Sequence, residues 1–149
     1  MQQLFFFVLA ILCGAVFPTQ AGLNAQMARL TGQALWAAFF SFVMGVVVLF
    51  LASLTTRTSF GEAVAAAKTA PWYVWFAGVL GAYYISTVIV VMPRLGVALT
   101  FGLVVLGQMI VSLLLDHYGW LGVAVKPISI GRIVGAMLIV GGVVLIRKF

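Results

Sequence analysis

Hydrophobic residues dominate five long stretches of this chain, and short polar or charged segments separate them. A helix rises 1.5 Å per residue, so about 20 apolar residues cross the roughly 30 Å hydrocarbon core of a bilayer. The pattern therefore predicts an all-α integral membrane protein, with a single transmembrane domain over residues 1–149 and five spans. The predicted spans cover residues 4–28, 34–54, 72–92, 95–116 and 128–146.

The breaks between the stretches differ in length and in what they predict. The longest break separates the second and third stretches, and its segment Phe60–Lys68 suits a short helix at the membrane interface. Ser59 followed three residues later by Glu62 resembles a capping box, which starts a helix. Only Pro93 and Arg94 separate the third and fourth stretches, so a tight antiparallel hairpin is expected there.

Composition excludes a soluble domain. Apolar residues make up 65% of the chain and charged residues 7%, against roughly 45–50% and about 25% in soluble domains. The net charge of +6 does not indicate nucleic acid, because the cations lie singly between apolar stretches, where they meet lipid phosphates. Arg132, in the first turn of the last span, is expected to snorkel outward. The single cysteine, Cys13, excludes an intrachain disulfide.

The first stretch predicts a retained helix rather than a cleaved signal peptide. No Lys or Arg precedes its apolar core, and the apolar character continues past Thr19-Gln20-Ala21, where cleavage would fall. Pro18 lies inside this helix and is expected to kink it, since proline cannot donate to the carbonyl of Gly14.

Polar side chains recur on one face of the fourth span. Gln108, Ser112 and Asp116 are spaced at i, i+4 and i+8, and a helix keeps that spacing in a narrow stripe. Gln20 and Asn24 repeat the i, i+4 spacing in the first span. Lipid offers no hydrogen-bond partner, so such groups must face protein or water. They are candidates for solute binding, and the alternative is that they hold helices together by hydrogen bonds.

Ionisable groups are missing from the middle of every stretch. A pump for organic cations usually needs a buried carboxylate, and Asp116 lies at the end of its helix. The helix dipole disfavours a negative charge there, which makes Asp116 the proton-coupling candidate, with a simply hydrated carboxylate as the alternative. His117 beside it is a weak indication of acid–base chemistry without a nucleophile or metal partner. We expect no enzyme, no cofactor and no bound metal, and neutral or anionic solutes rather than cations.

With these positions identified, a family resemblance covers essentially the whole chain. The segments PTQAGLNAQMAR, PRLGVA and GQMIVSLLLDHYGW resemble the YdcZ-like family of small five-helix bacterial inner-membrane proteins, part of the drug/metabolite transporter superfamily. The resemblance implies a multi-pass inner-membrane transporter in which Gln20, Asn24, Gln108 and Asp116 are functional. Larger relatives have ten helices in two inverted halves. The small multidrug-resistance relatives carry a Glu in their first helix, which this chain lacks.

Charge does not favour either orientation in the membrane. Lys and Arg near short loops mark the cytoplasmic side, and here each side has four. The side shared by the N-terminus and the second and fourth loops has Arg57, Lys68, Lys126 and Arg132, and the opposite side has Arg29, Arg94, Arg147 and Lys148.

The balance predicts insertion in both orientations and pairing of two opposite copies. The chain is therefore expected to be half of a ten-helix inverted-repeat assembly that forms as an antiparallel homodimer, and an oppositely oriented paralogue is the alternative partner. Gly131, Gly135 and Gly142 in the last span are the candidate dimer contact. The expected function is a secondary transporter or facilitator for a small polar solute, using alternating access. A passive small-ion channel and a non-transporting membrane assembly partner are the alternatives.

Overall fold

The computed structural model describes residues 2–56 and 59–149, and five long α-helices dominate this part of the chain. All five are long and apolar enough to span a membrane, which confirms the predicted fold class. A shorter sixth helix lies between the second and third of them. The helices are α1 Gln2–Thr31, α2 Ala34–Ser53, α3 Phe60–Lys68, α4 Phe76–Leu95, α5 Val97–Tyr118 and α6 Ile130–Lys148.

Short-range capping explains where several helices begin. The Ser59 hydroxyl accepts a hydrogen bond from the Glu62 backbone N–H, and the Glu62 carboxylate accepts one from the Ser59 N–H at 2.8 Å. This is the predicted capping box, and it starts α3 at the predicted residue. Ser129 caps α6 in a similar way through the N–H of Arg132. A 3₁₀ turn, Trp72–Trp75, leads directly into α4.

The break between the third and fourth spans differs from the prediction. Pro93 and Arg94 belong to the last turn of α4, and the helix ends instead at Leu95, before Gly96. Gly96 has a φ of +82°, a conformation that a Cβ atom disfavours. Proline costs the helix one hydrogen bond but does not have to end it, whereas the glycine permits the backbone to change direction.

The first helix is continuous through Pro18, and it extends to Thr31, three residues beyond the predicted end. The Thr19 hydroxyl donates to the Ala15 carbonyl at 3.2 Å, one turn earlier. Arg57, one of the cations in the predicted charge balance, lies outside the described residues.

The chain divides into two compact units, Met1–Pro93 and Arg94–Phe149. The core of the first unit consists of small and branched side chains from α2 and α4: Ala37, Ala38, Ile85 and Ile89, with Ala28 of α1 packed against them. Small residues allow spanning helices to approach closely, and close packing holds such helices together in lipid.

In the second unit, α5 packs against α6. A Cβ atom on Gly102 would lie 2.9 Å from Cγ2 of Val143, so the glycine is what permits this approach. Val143 is also the buried residue of α6.

Candidate solute-binding site

Asn24 is a buried polar residue within the membrane-spanning part of α1. Its side chain is 6% exposed, and its Nδ2 has no hydrogen-bond partner within residues 2–56 and 59–149. Ala21 and Ala25, its neighbours on the helix, are buried as well. Buried amides are almost always hydrogen-bonded, so this side chain retains an unused donor.

Gln20 lies one helical turn before Asn24 and lines two cavities of the first unit. One cavity, of about 210 Å³, lies against α2 and includes Ser41, Phe42 and Gly45. The other, of about 470 Å³, is a shallow depression that residues of α1 alone line, among them Thr19 and Leu23. A carboxamide can donate and accept hydrogen bonds, so Gln20 presents both functions to space that a solute can enter.

The predicted stripe of the second unit runs along α5 as expected from its spacing. Gln108 and Ser112 are both exposed, so no other residue of their unit covers them. Asp116 is half-buried. The structure therefore groups Gln20 with Asn24 in one unit, and Gln108, Ser112 and Asp116 in the other.

Asp116 forms an ion pair with Arg132 that the sequence analysis did not identify. Nη2 of Arg132 donates to Oδ2 of Asp116, and the two side chains are each 31% exposed. Nη1 of the same arginine donates to the Lys126 carbonyl at 2.8 Å. Arg132 is thus held by a carboxylate at the end of α5 and a carbonyl in the loop that follows, and its outward snorkelling stays a prediction.

Hydrogen bonds from backbone N–H groups also join the segment after α5 to the end of that helix. The Lys126 N–H donates to the Asp116 carbonyl at 2.7 Å, and the Ile128 N–H donates to Nδ1 of His117 at 3.2 Å. Asp116 and His117 thus hold the segment between α5 and α6. These contacts support a structural role for both residues.

The glycines proposed for a dimer contact are open. A Cβ atom on Gly131, Gly135 or Gly142 would meet nothing within 4 Å, in contrast to Gly102. The surface of α6 at these positions is accessible to a second helix.

Sequence reasoning missed Ser41 and Arg132. Arg132 follows Asp116 by 16 residues, and the two residues lie at adjoining ends of consecutive antiparallel spans. Opposite charges at such positions are the signal that would have found the pair. Ser41 lines a cavity together with Gln20, and that placement depends on how α1 and α2 pack.

Five helices that can span a membrane define a multi-pass α-helical membrane protein. The chain matches, over residues 5–145, the family described as "Putative inner membrane exporter, YdcZ". The chain belongs to this family, as the resemblance of its motifs implied, and it is a multi-pass protein of the inner membrane. The family is one of membrane transporters and not an enzyme class. No curated protein and no solved structure matches the chain significantly.

Proposed function

We propose that the protein moves a small polar solute across the inner membrane by alternating access, and that Gln20 and Asn24 contact the solute. The observation that carries this proposal is the buried, unpartnered Nδ2 of Asn24. An unsatisfied buried donor costs about 1–3 kcal/mol. Solute binding by Asn24 gives a physical reason for the protein to keep this unpaired donor despite its cost in stability.

The chemistry of the site favours a neutral or anionic solute with a hydrogen-bond acceptor. No acidic residue is among those that line the Gln20 cavities. The two acidic residues of the chain have other partners: Glu62 caps α3 and Asp116 pairs with Arg132. A buried cation without a carboxylate partner is costly. The free Nδ2 of Asn24 instead suits a carbonyl, carboxyl or hydroxyl oxygen.

Gln108 and Ser112 extend the proposed pathway. Both are exposed within the second unit, yet a spanning helix must direct such groups toward protein or water. A second, oppositely oriented copy supplies protein on that side and gives ten helices in two inverted halves, as alternating access commonly requires. An oppositely oriented paralogue would satisfy the same geometry.

A stability screen followed by a flux measurement tests the proposal. The purified protein is melted against a broad panel of small metabolites, and a bound solute raises Tm by an amount that grows with the logarithm of its concentration over Kd. A stabilising solute is then assayed for movement into proteoliposomes. Saturable flux is the expected result.

Two results would contradict the transporter. Sustained unitary currents in planar bilayers would identify the alternative channel. A panel without any stabilising compound, together with an unchanged Tm for Asn24 variants, would favour the non-transporting assembly partner.

Proton coupling through Asp116 stays a prediction, and its ion pair offers a direct test. Replacing Asp116 by Asn removes the titrating group and also weakens the contact with Arg132. The double variant Asp116→Asn/Arg132→Gln also removes the charge of Arg132, which the single variant leaves without its partner. Flux in both variants that keeps the pH dependence of the wild type would assign Asp116 to structure alone.

A further inference from the structure

An apolar groove runs along α5 and α6 in the second unit, apart from the polar residues of the proposed pathway. Its volume is about 340 Å³, within the range of about 300–1,000 Å³ typical of small-molecule sites. Hydrophobic side chains line it, with one cation: Leu95, Leu99, Leu103, Leu106, Val140, Val143, Val144 and Arg147.

The groove follows the two helices for part of one leaflet of a bilayer. Its lining residues cover two turns of each helix, Leu99 to Leu106 in α5 and Val140 to Arg147 in α6, which is about 10 Å at 1.5 Å per residue. The hydrocarbon core of a bilayer is about 30 Å thick, or about 15 Å for each leaflet. The groove therefore has the length to hold the first part of one acyl chain that enters from the helix ends.

The charge at the mouth of the groove is positive. Arg147 lies in the last turn of α6 and has no ion-pair partner in the described part of the chain. Arg94 directly precedes the lining residue Leu95. The one acidic side chain of this unit, that of Asp116, lies near the opposite end of α5 and is paired with Arg132. An anionic headgroup above the groove would meet uncompensated cations.

Close packing shapes the floor of the groove. Gly102 brings α5 against Val143, and the larger Leu99, Leu103 and Leu106 stand beside this contact. Gly102 and the three leucines thus form the groove. The presence of the groove is independent of the solute pathway proposed above.

We propose that this groove binds an anionic phospholipid, with one acyl chain between α5 and α6 and its phosphate on Arg147 and Arg94. A lipid that only surrounds the protein would need the apolar surface but not the cations. The proposal therefore predicts selectivity for headgroup charge. An attraction near the membrane surface of about 1 kcal/mol per cation corresponds to about fivefold in affinity for each one.

Lipid retention by the purified full-length protein tests this. The protein is equilibrated in mixed micelles with equal amounts of phosphatidylglycerol and phosphatidylcholine of the same chain length, and the lipids retained are counted by native mass spectrometry. The wild type is expected to retain phosphatidylglycerol at least about fivefold over phosphatidylcholine. Arg94→Gln/Arg147→Gln should bring the ratio close to one.

Two further variants separate the groove from the charge. Leu103→Trp fills the groove and should reduce retention of both lipids, whereas Leu138→Trp, on an exposed part of α6 outside the groove, should not. Arg29→Gln, which removes the last-turn cation of α1, should leave the ratio unchanged. Glycerol phosphate, which has the headgroup charge without acyl chains, should not compete.

Three results would overturn the proposal. Equal retention of the two lipids by the wild type would show ordinary surrounding lipid. Competition by glycerol phosphate would show an anion site that needs no chain. Conversion of a dimer to a monomer by Leu103→Trp, with lipid retention unchanged, would show that a second copy covers the groove.

Discussion

At the scale of single residues, the binding role proposed for Asn24 comes at a cost in the stability of the fold. A buried amide without a hydrogen-bond partner costs about 1–3 kcal/mol. The Nδ2 of Asn24 is such a group within the described residues. A hydrogen bond between spanning helices contributes about 0.6 kcal/mol on average. The sign of the effect of removing the amide therefore distinguishes a binding residue from one that joins helices.

We expect Asn24→Leu, which replaces the amide by an apolar group of similar size, to raise the free energy of unfolding by about 1 kcal/mol and to abolish solute binding. Denaturant unfolding in detergent micelles measures the first effect, and the solute-induced shift in Tm measures the second. Gln26→Leu is the control, since Gln26 is exposed on another face of α1 and should leave binding intact. A less stable Asn24→Leu protein would show that the amide joins helices.

Which residues could be assigned from sequence depended on the range of their interactions. The spacing of Gln20 and Asn24 predicted a shared face, because helix geometry alone decides it. It did not predict that Asn24 is buried and Gln20 lines a cavity, since the packing of α1 on α2 decides that. The pair of Asp116 and Arg132 was missed for the same reason, because it joins two helices across a loop.

At the scale of helices, local signals were reliable where they involved hydrogen bonds within one turn. Ser59 and Glu62 placed the start of α3 correctly. Pro93 was a poor guide to the end of α4, because the loss of one hydrogen bond does not have to end a helix, and Gly96 ends it instead. The lengths of the five spans could be predicted because hydropathy is a property of the sequence and the thickness of a bilayer is known.

The capping box gives α3 a dependence on pH. Hydrogen bonds from the Ser59 backbone N–H and hydroxyl lower the pKa of Glu62 below its usual range. Because the folded-state pKa is depressed, this stabilisation is present above the unfolded pKa, near 4.3, and is lost as the pH falls through the folded pKa. We expect Ser59→Ala to raise the pKa of Glu62, measured by NMR titration of its carboxyl carbon. An identical titration in both proteins would contradict the box.

Two glycines of α5 provide a matched test of helix packing. Gly102→Ala places a Cβ atom 2.9 Å from Cγ2 of Val143, and a β-branched valine has few rotamers with which to move away. We expect a loss of about 1–3 kcal/mol in unfolding free energy, read from denaturant unfolding in micelles. Gly107→Ala meets nothing within 4 Å and should be neutral, or stabilising by up to about 1 kcal/mol. Equal effects of the two substitutions would refute this packing contact.

At the scale of the whole molecule, the number of helices and the distribution of charge favour the same assembly. Five spans cannot contain two equal inverted halves, although alternating access is commonly built from such a pair. The eight Lys and Arg residues divide equally between the two sides of the membrane. The open glycines of α6, Gly131, Gly135 and Gly142, offer a surface on which a second copy can pack.

Reporter fusions at Phe149 test whether the chain inserts in both orientations. We expect substantial activity from a reporter that works only in the cytoplasm and from one that works only in the periplasm, because neither side has an excess of cations to fix the orientation. Adding Lys residues beside Arg147 should shift the population to C-terminus-in, and adding them beside Lys126 should shift it the other way. A wild-type signal from one reporter alone, at equal expression of both fusions, would contradict dual topology. In that case an oppositely oriented paralogue becomes the partner to seek, since the proposed alternating access is commonly built from two inverted halves.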